Sequence, residues 1–212
     1  MTATTATIHR AGTGDAAAVT DLIATAFASL AVSVWLIPDK DDRAGVLLAY
    51  FRILVEHALD IGAVYLVDGR AAAVWVPWTS MAPPPAPEDY DVRLAATTGP
   101  YLDRFRALDA VFAEHPPTGA HHHLEFLAVH PDHQGQGLGG RLLAVHHRVL
   151  DRAGIPAYLE AADPRARGLY ARHTYGLTVP GLLRLPDGGP ALWPMWRLPQ
   201  AARTAPFRAG DL

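Results

Sequence analysis

"LEFLAVHPDHQGQGLGGRLLAVHHRVL" (residues 124–150) changes character twice. It opens as an apolar run suited to a strand and passes through Val129-His130-Pro131. It then places Gly135, Gly137, Gly139 and Gly140 within six positions. From Leu138 a helical stripe begins, with Leu138, Leu142, Val145 and Val149 on one face. A helix N-terminus presents unpaired N–H groups and the positive end of the dipole. Glycines let the backbone approach an anion without a Cβ and take positive φ. The stretch therefore predicts a strand, a phosphate-binding loop and a helix, with a diphosphate as ligand. The Walker pattern fails, because no Gly-Lys-Ser/Thr follows. The dinucleotide fingerprint needs its loop after the first strand of a βαβ unit, and here the loop follows the fourth predicted strand.

Upstream, residues 6–11 read as a first strand, and Thr13 to Asp15 cap a helix with Val19, Leu22, Ile23, Ala26 and Phe27 as its stripe. The stretch "SLAVSVWLIP" (29–38) is apolar but irregular and reads as a loop over a cleft. A second helix spans about 42–59. Two β-rich runs around Asp68-Gly69 predict a hairpin, and "APPPAPEDY" a stiff surface connection. Residues 91–114 are helical, interrupted at Gly99-Pro100. After the strand 121–129 and the helix 138–153 come a fifth strand at 157–161, a helix at 164–173 and two more strands around "PDGGP". Residues 1–199 form one α/β domain with a mixed sheet of about seven strands flanked by helices, and 200–212 a flexible tail.

The 212 residues are half hydrophobic and carry a net charge of −3. Mixed charges give no basic footprint, so no nucleic-acid partner is expected. There is no cysteine, which excludes disulfides and thiolate catalysis. No apolar run reaches the length of a membrane span, and the first residues lack a signal-peptide core; a cytoplasmic protein without membrane association is expected. Ala, Arg, Pro and Gly are heavily used and Lys40 is the single lysine, a composition that points to a GC-rich bacterial source.

Gln134-Gly135-Gln136-Gly137-Leu138-Gly139, preceded by "LAVHPDH", resembles the Gln/Arg-x-x-Gly-x-Gly/Ala signature of the GNAT N-acetyltransferases. "LDIGAVYLVDGRAAAVWVPW", "AGIPAYLEAADPR" and "LPDGGPALWPMWRLP" resemble, in the same order, stretches of the puromycin N-acetyltransferase-like branch. The likeness covers roughly residues 6–199. It implies the GNAT fold, with acetyl-CoA as co-substrate entering an opening between the fourth and fifth strands. Phe126, Leu127, Ala128 and Val129 would pair with the pantetheine arm. Gln134, Gly135, Gln136, Gly137, Leu138, Gly139, Gly140 and Arg141 would hold the pyrophosphate. The activity implied is direct acetyl transfer to a small primary amine; the alternatives are a protein or peptide acetyltransferase and a non-catalytic acetyl-CoA-binding module. The sequence leaves monomer and homodimer equally open.

Such transfer needs a base for the amine and an acid for the departing thiolate. Strand parity puts His121, His123, Glu125, Leu127 and Val129 on one face and His122, Leu124, Phe126 and Ala128 on the other. The resemblance places the base at His123 or Glu125. It puts Glu160, in "AYLEA", near the substrate, and Tyr170, in "RGLYARH", by the coenzyme sulfur. The segment departs from relatives by Pro164-Arg165 where many have Asn, and by the longer "HTYGL", in which Tyr175 takes part of a phenylalanine's packing. Trp35, Trp75 and Trp78, with Tyr50, are candidates for the acceptor wall. Few acidic residues accompany them, so a hydrophobic or aromatic amine suits the pocket better than a polycation. No ligand spacing suggests a metal.

Overall fold

The computed structural model describes residues 7–80, 83–178 and 181–200. In chain order the elements are β1 (His9–Arg10), α1 (Ala16–Phe27), α2 (Ala31–Leu36), α3 (Lys40–Ile61), β2 (Ala63–Val67) and β3 (Ala71–Trp78). Then come α4 (Tyr90–Thr98), α5 (Leu102–Glu114), β4 (His121–Val129), α6 (Leu138–Ala153), β5 (Ala157–Ala161) and α7 (Pro164–Arg172). The last are β6 (Gly176–Leu177), β7 (Leu183–Arg184) and β8 (Ala191–Arg197). Most boundaries follow local chemistry. Asp39 starts α3 two residues ahead of the expected position because its Oδ1 accepts a hydrogen bond from the Asp41 amide at 2.8 Å. Asp163 caps α7 in the same way, accepting from Ala166 N at 2.8 Å. The expected loop at 29–38 contains a helix instead, α2. Its six residues include no repeating polar position that would reveal a helical face.

The sheet runs β1-β2-β3-β4-β5-β8-β6, with β7 pairing β8, so the described residues form eight strands against the about seven expected. The surplus comes from two-residue pairings too short to leave a periodic signal. Every neighbouring pair is antiparallel except β4 and β5, which are parallel. One face packs on α1 to α5, around Val19, Ile23, Leu47, Phe51, Val74 and Phe105. The other packs on α6 and α7, around Trp75, Leu124, Leu142, Leu143, Leu150 and Tyr170. Ala6 of the first expected strand and residues 201–212 of the expected tail lie outside the described residues.

The strand parity expected for β4 holds only for its first half. Val74 of β3 pairs with Phe126 and Trp75 with Leu124, which leaves Glu125 as an extra residue in a β-bulge. Beyond it the faces exchange. Phe126 and Ala128 join the α1–α5 core, while Leu127 and Val129 turn toward α6 and α7. The β4–β5 register covers only His122 with Ala157 and His123 with Tyr158. Past the bulge the two strands part.

The histidines at the start of β4 serve the core. His121 is fully buried between Trp78 and Trp196, with both ring centroids 5.1 Å away. Its Nδ1–H donates to the Gly119 carbonyl at 2.8 Å, and Nε2 has no partner. Burial pushes its pKa down to about 4. On the other face, His122 Nδ1 and His146 Nε2 share a hydrogen bond of 2.9 Å. His146 stacks on Trp75 at 4.3 Å, and burial pushes its pKa down to about 3.

A histidine that stays neutral when folded contributes stability that is complete above its unfolded pKa and is lost as pH falls toward the folded one. For His121 that window runs from 6.5 down to about 4. His121→Phe keeps the ring and removes the unpartnered nitrogen. Thermal melts at pH 8 are expected to place it near the parent, and melts across the acid window to show a shallower fall in Tm. Parallel curves in the acid window would show that His121 does not carry the acid sensitivity.

Candidate active site

Two clefts flank the place where β4 and β5 part. The first, of about 490 Å³, is bounded by Leu127 and Val129 of β4, the glycine loop, the start of α6, and Asp163, Leu169 and Tyr170 around α7. Gly135 and Gly137 take φ of +78° and +77°. A Cβ on either would meet nothing within 4 Å, so conformation, not crowding, calls for glycine here. Gly137 is the N-cap of α6 and offers no side chain, which leaves the first-turn N–H groups to a ligand. Gly139 lies in ordinary contact distance of the Leu127, Leu169 and Val129 side chains, and Gly140 sits under His173. Gln134 faces back to the protein: its Nε2 donates to the Val129 carbonyl at 3.4 Å, and its Oε1 accepts from Arg165 at 3.1 Å. Arg165 and Arg172 also line this cleft. Neither was singled out as a site residue, because an arginine on a short helix carries no motif. Arg141 is exposed at the start of α6.

The second cleft, of about 270 Å³, lies on the α1–α5 side. Phe27, Val32, Leu36, Tyr50, Phe51 and Phe112 form much of its wall, and His123, Glu125, Glu160 and Asp109 its polar part. A connected lobe of about 240 Å³ shares Leu54, Phe112, His123, Glu125 and Glu160 with it and adds Trp78, His57 and Pro83 to Pro87. The proline-rich connection is tied down by a 2.9 Å hydrogen bond between His57 Nε2 and the Pro85 carbonyl.

His123 Nε2 donates to Glu160 Oε2 at 2.8 Å, the two side chains being 18% and 11% exposed. Burial opposes the imidazolium, but the Glu160 carboxylate, with Glu125 adding, outweighs it and holds the His123 pKa above its usual value. For Glu125, burial is the main cause of a pKa near 7; the positive His123 opposes the rise and Glu160 adds to it. Strand alternation puts Glu125 on the same face as His123. The three expected side chains thus line one pocket, from β4 and β5, with His123 and Glu160 in direct contact.

Tyr170 lines the glycine-loop cleft. Burial, with Asp163 adding, raises its pKa and keeps it a phenol. Its ring packs against Tyr175 at 5.7 Å, whose hydroxyl is bonded to His147 Nε2 at 3.0 Å. Tyr175 is buried there.

The tryptophan expectations divide three ways. Trp78 lines the lobe beside His57 and the proline-rich connection. Trp75 does not: it is fully buried against α6 on the opposite face of the sheet. Positions three apart on a strand point to opposite faces, so the two could not share a wall. Trp35 packs beside Arg104, whose guanidinium lies 5.5 Å from its ring and donates to its carbonyl; its α2 neighbours Val32, Ser33 and Leu36 face the cavity instead. The expected shortage of acidic groups is also corrected, because α5, β4 and β5 bring Asp109, Glu125 and Glu160 into one pocket. Among the described residues no group of His, Asp and Glu could hold a metal ion, and no helix is long and apolar enough to cross a membrane.

Residues 107–175 match the family model described as acetyltransferase (GNAT) domain. Solved structures share the fold over most of the chain. The histone acetyltransferase HPA2 and related acetyltransferase of Corynebacterium glutamicum is 24% identical with a TM-score of 0.67, over 91% of this chain and 96% of that one. A Drosophila melanogaster polyamine N-acetyltransferase is 18% identical with a TM-score of 0.58, over 91% and 99%. Arylalkylamine N-acetyltransferase 2 of Aedes aegypti is 10% identical with a TM-score of 0.59, over 91% and 98%. The domain-model match is confined to residues 107–175, and the solved acetyltransferases share the fold of this chain.

The histidine–carboxylate pair makes a direct prediction. In Glu160→Gln the charge that favours the imidazolium is gone and burial remains. The His123 pKa is expected to fall, because the adjacent opposite charge that raises it is lost while burial remains. Imidazole NMR titration reads this; an unmoved His123 midpoint would contradict the pairing.

Proposed function

We propose that the chain transfers the acetyl group of acetyl-CoA to the primary amine of a small molecule held in the pocket beside Glu125. One observation carries this reading: the glycine-loop cleft and the carboxylate pocket lie on either side of the gap between β4 and β5. Leu127 and Asp163 border the first, while Phe126 and Ala162 border the second. A thioester lying in that gap would face both. The amides of residues 135–140 and the dipole of α6 suit the pyrophosphate, with Arg165 and Arg172 as its cations. The backbone of Phe126, Leu127, Ala128 and Val129 lies past the end of the β4–β5 pairing and suits the amides of the pantetheine arm. The surrounding helices suit a small acceptor better than a polypeptide, which needs an open groove.

In this reading Glu125 accepts a proton from the amine, whose nitrogen forms a bond to the thioester carbonyl carbon. The carbon–sulfur bond breaks, and the sulfur takes the Tyr170 phenolic proton, which solvent replaces. Burial raises the cost of the Tyr170 phenolate, so the phenol donates a hydrogen bond until charge builds on the sulfur. Glu160 fixes His123, and the pair bounds the space in which the amine sits. The order of sequence motifs makes puromycin the first aromatic amine to try, and the polar groups of the pocket make aliphatic amines the second class.

The test is an amine screen for release of coenzyme A thiol, followed by two variants. Tyr170→Phe is expected to lower kcat by about a hundredfold, the lower scale of general acid catalysis, while coenzyme affinity by calorimetry is retained. A base acts only when ionised, so the rate should rise with pH through about 7, the Glu125 pKa. Glu125→Gln should flatten that limb with two acceptors of different amine pKa. If the limb follows the acceptor and ignores Glu125→Gln, Glu125 is not the base.

A further inference from the structure

The acceptor pocket has a second polar end, and its meaning rests on the acetyl-transfer reading. Among its lining side chains there is no lysine or arginine, but there are three carboxylates, Asp109, Glu125 and Glu160. Glu160 is engaged by His123, and Glu125 faces the reacting amine. Asp109 arrives separately, from α5. Tyr90 Oη donates to its Oδ2 at 3.0 Å, and Tyr50, in electrostatic reach of Tyr90, Asp109 and Glu125, lines the same cavity. No ion pair joins Asp109 to a basic residue among the described residues. Burial raises its carboxyl pKa, the Tyr90 hydrogen bond only partly opposing this and Asp91 adding to it. A carboxylate facing an apolar cavity with one neutral donor is poorly compensated. Helix α5 carries it on the inward side, beside Leu108 and Phe112, which line the same cavity.

We propose that Asp109 determines acceptor specificity by holding a second cationic group. The acceptor is then an amine with a further ammonium or guanidinium at its far end, the two joined by an apolar spacer that lies along Phe27, Tyr50, Phe51 and Phe112. The reacting end sits by Glu125 and the charged end by Asp109 and Tyr90.

The experiment compares α,ω-diamines with n-alkylamines of matched chain length, in the parent and in Asp109→Asn and Asp109→Glu. The parent should favour one diamine over its monoamine in kcat/KM by roughly tenfold or more, the scale of one hydrogen bond to a charged group. Asp109→Asn, which keeps the shape and the Tyr90 partner, should remove most of that ratio. Asp109→Glu should restore part of it. Because the ratio is read within one protein, a general loss of folded enzyme cancels. A parent ratio near one, or a ratio unchanged in Asp109→Asn, overturns the proposal. If aromatic amines are acetylated and neither aliphatic series is, the Asp109 proposal falls and the acetyl-transfer reading stands; if no amine releases thiol, both fall.

Discussion

The bulge at Glu125 is the constraint on which the arrangement of the molecule turns. A parallel pair such as β4 and β5 normally continues its ladder as long as both strands remain straight. Here an extra residue bends β4 just after the pairing at His123 and Tyr158. Two consequences follow from one inserted residue. The strands separate and open a gap through the middle of the sheet. Leu127 and Val129 turn to the glycine-loop cleft, while Glu125 stays on the His123 face and lines the pocket there.

The electrostatics follow from that placement. Taking carboxylates out of water is expensive unless charge or hydrogen bonds compensate. The pocket compensates them unequally. Glu160 has a close imidazole; Asp109 has a phenol; Glu125 has only the field of His123 and holds its proton to about pH 7. Burial is what lifts the Glu125 and Asp109 carboxyls above the ordinary carboxylate range. Across the gap the field changes sign, with the N-terminus of α6, Arg165 and Arg172 around the glycine loop. In the proposed reaction, an anionic co-substrate and a cationic acceptor would thus approach from opposite sides.

What the sequence made legible was local. The density of glycines between an apolar strand and a helical stripe placed the loop, and the family match over residues 107–175 falls on that same stretch. The resemblance supplies positions for His123, Glu125, Glu160 and Tyr170 relative to the loop, and the fold brings the first three to one pocket. The bulge was not, since nothing in "HLEFL" distinguishes a bulged glutamate from a paired one; so the faces of Leu127 and Val129 were misassigned. Trp75 and Trp78 were grouped although strand alternation separates them, and only the packing of α6 shows which one lies in the core. Asp109, Tyr90 and Tyr50 come from three helices whose packing sets their meeting, and no spacing along the chain encodes it.

A crystal structure of the complex with coenzyme A tests the central claim most directly. The account predicts the pyrophosphate on the amides of residues 135–140, the pantetheine arm against the backbone of residues 126–129 in the gap beside β5, and the sulfur within reach of Tyr170. Coenzyme bound elsewhere, or bound here with β4 and β5 paired along their full length, would contradict it.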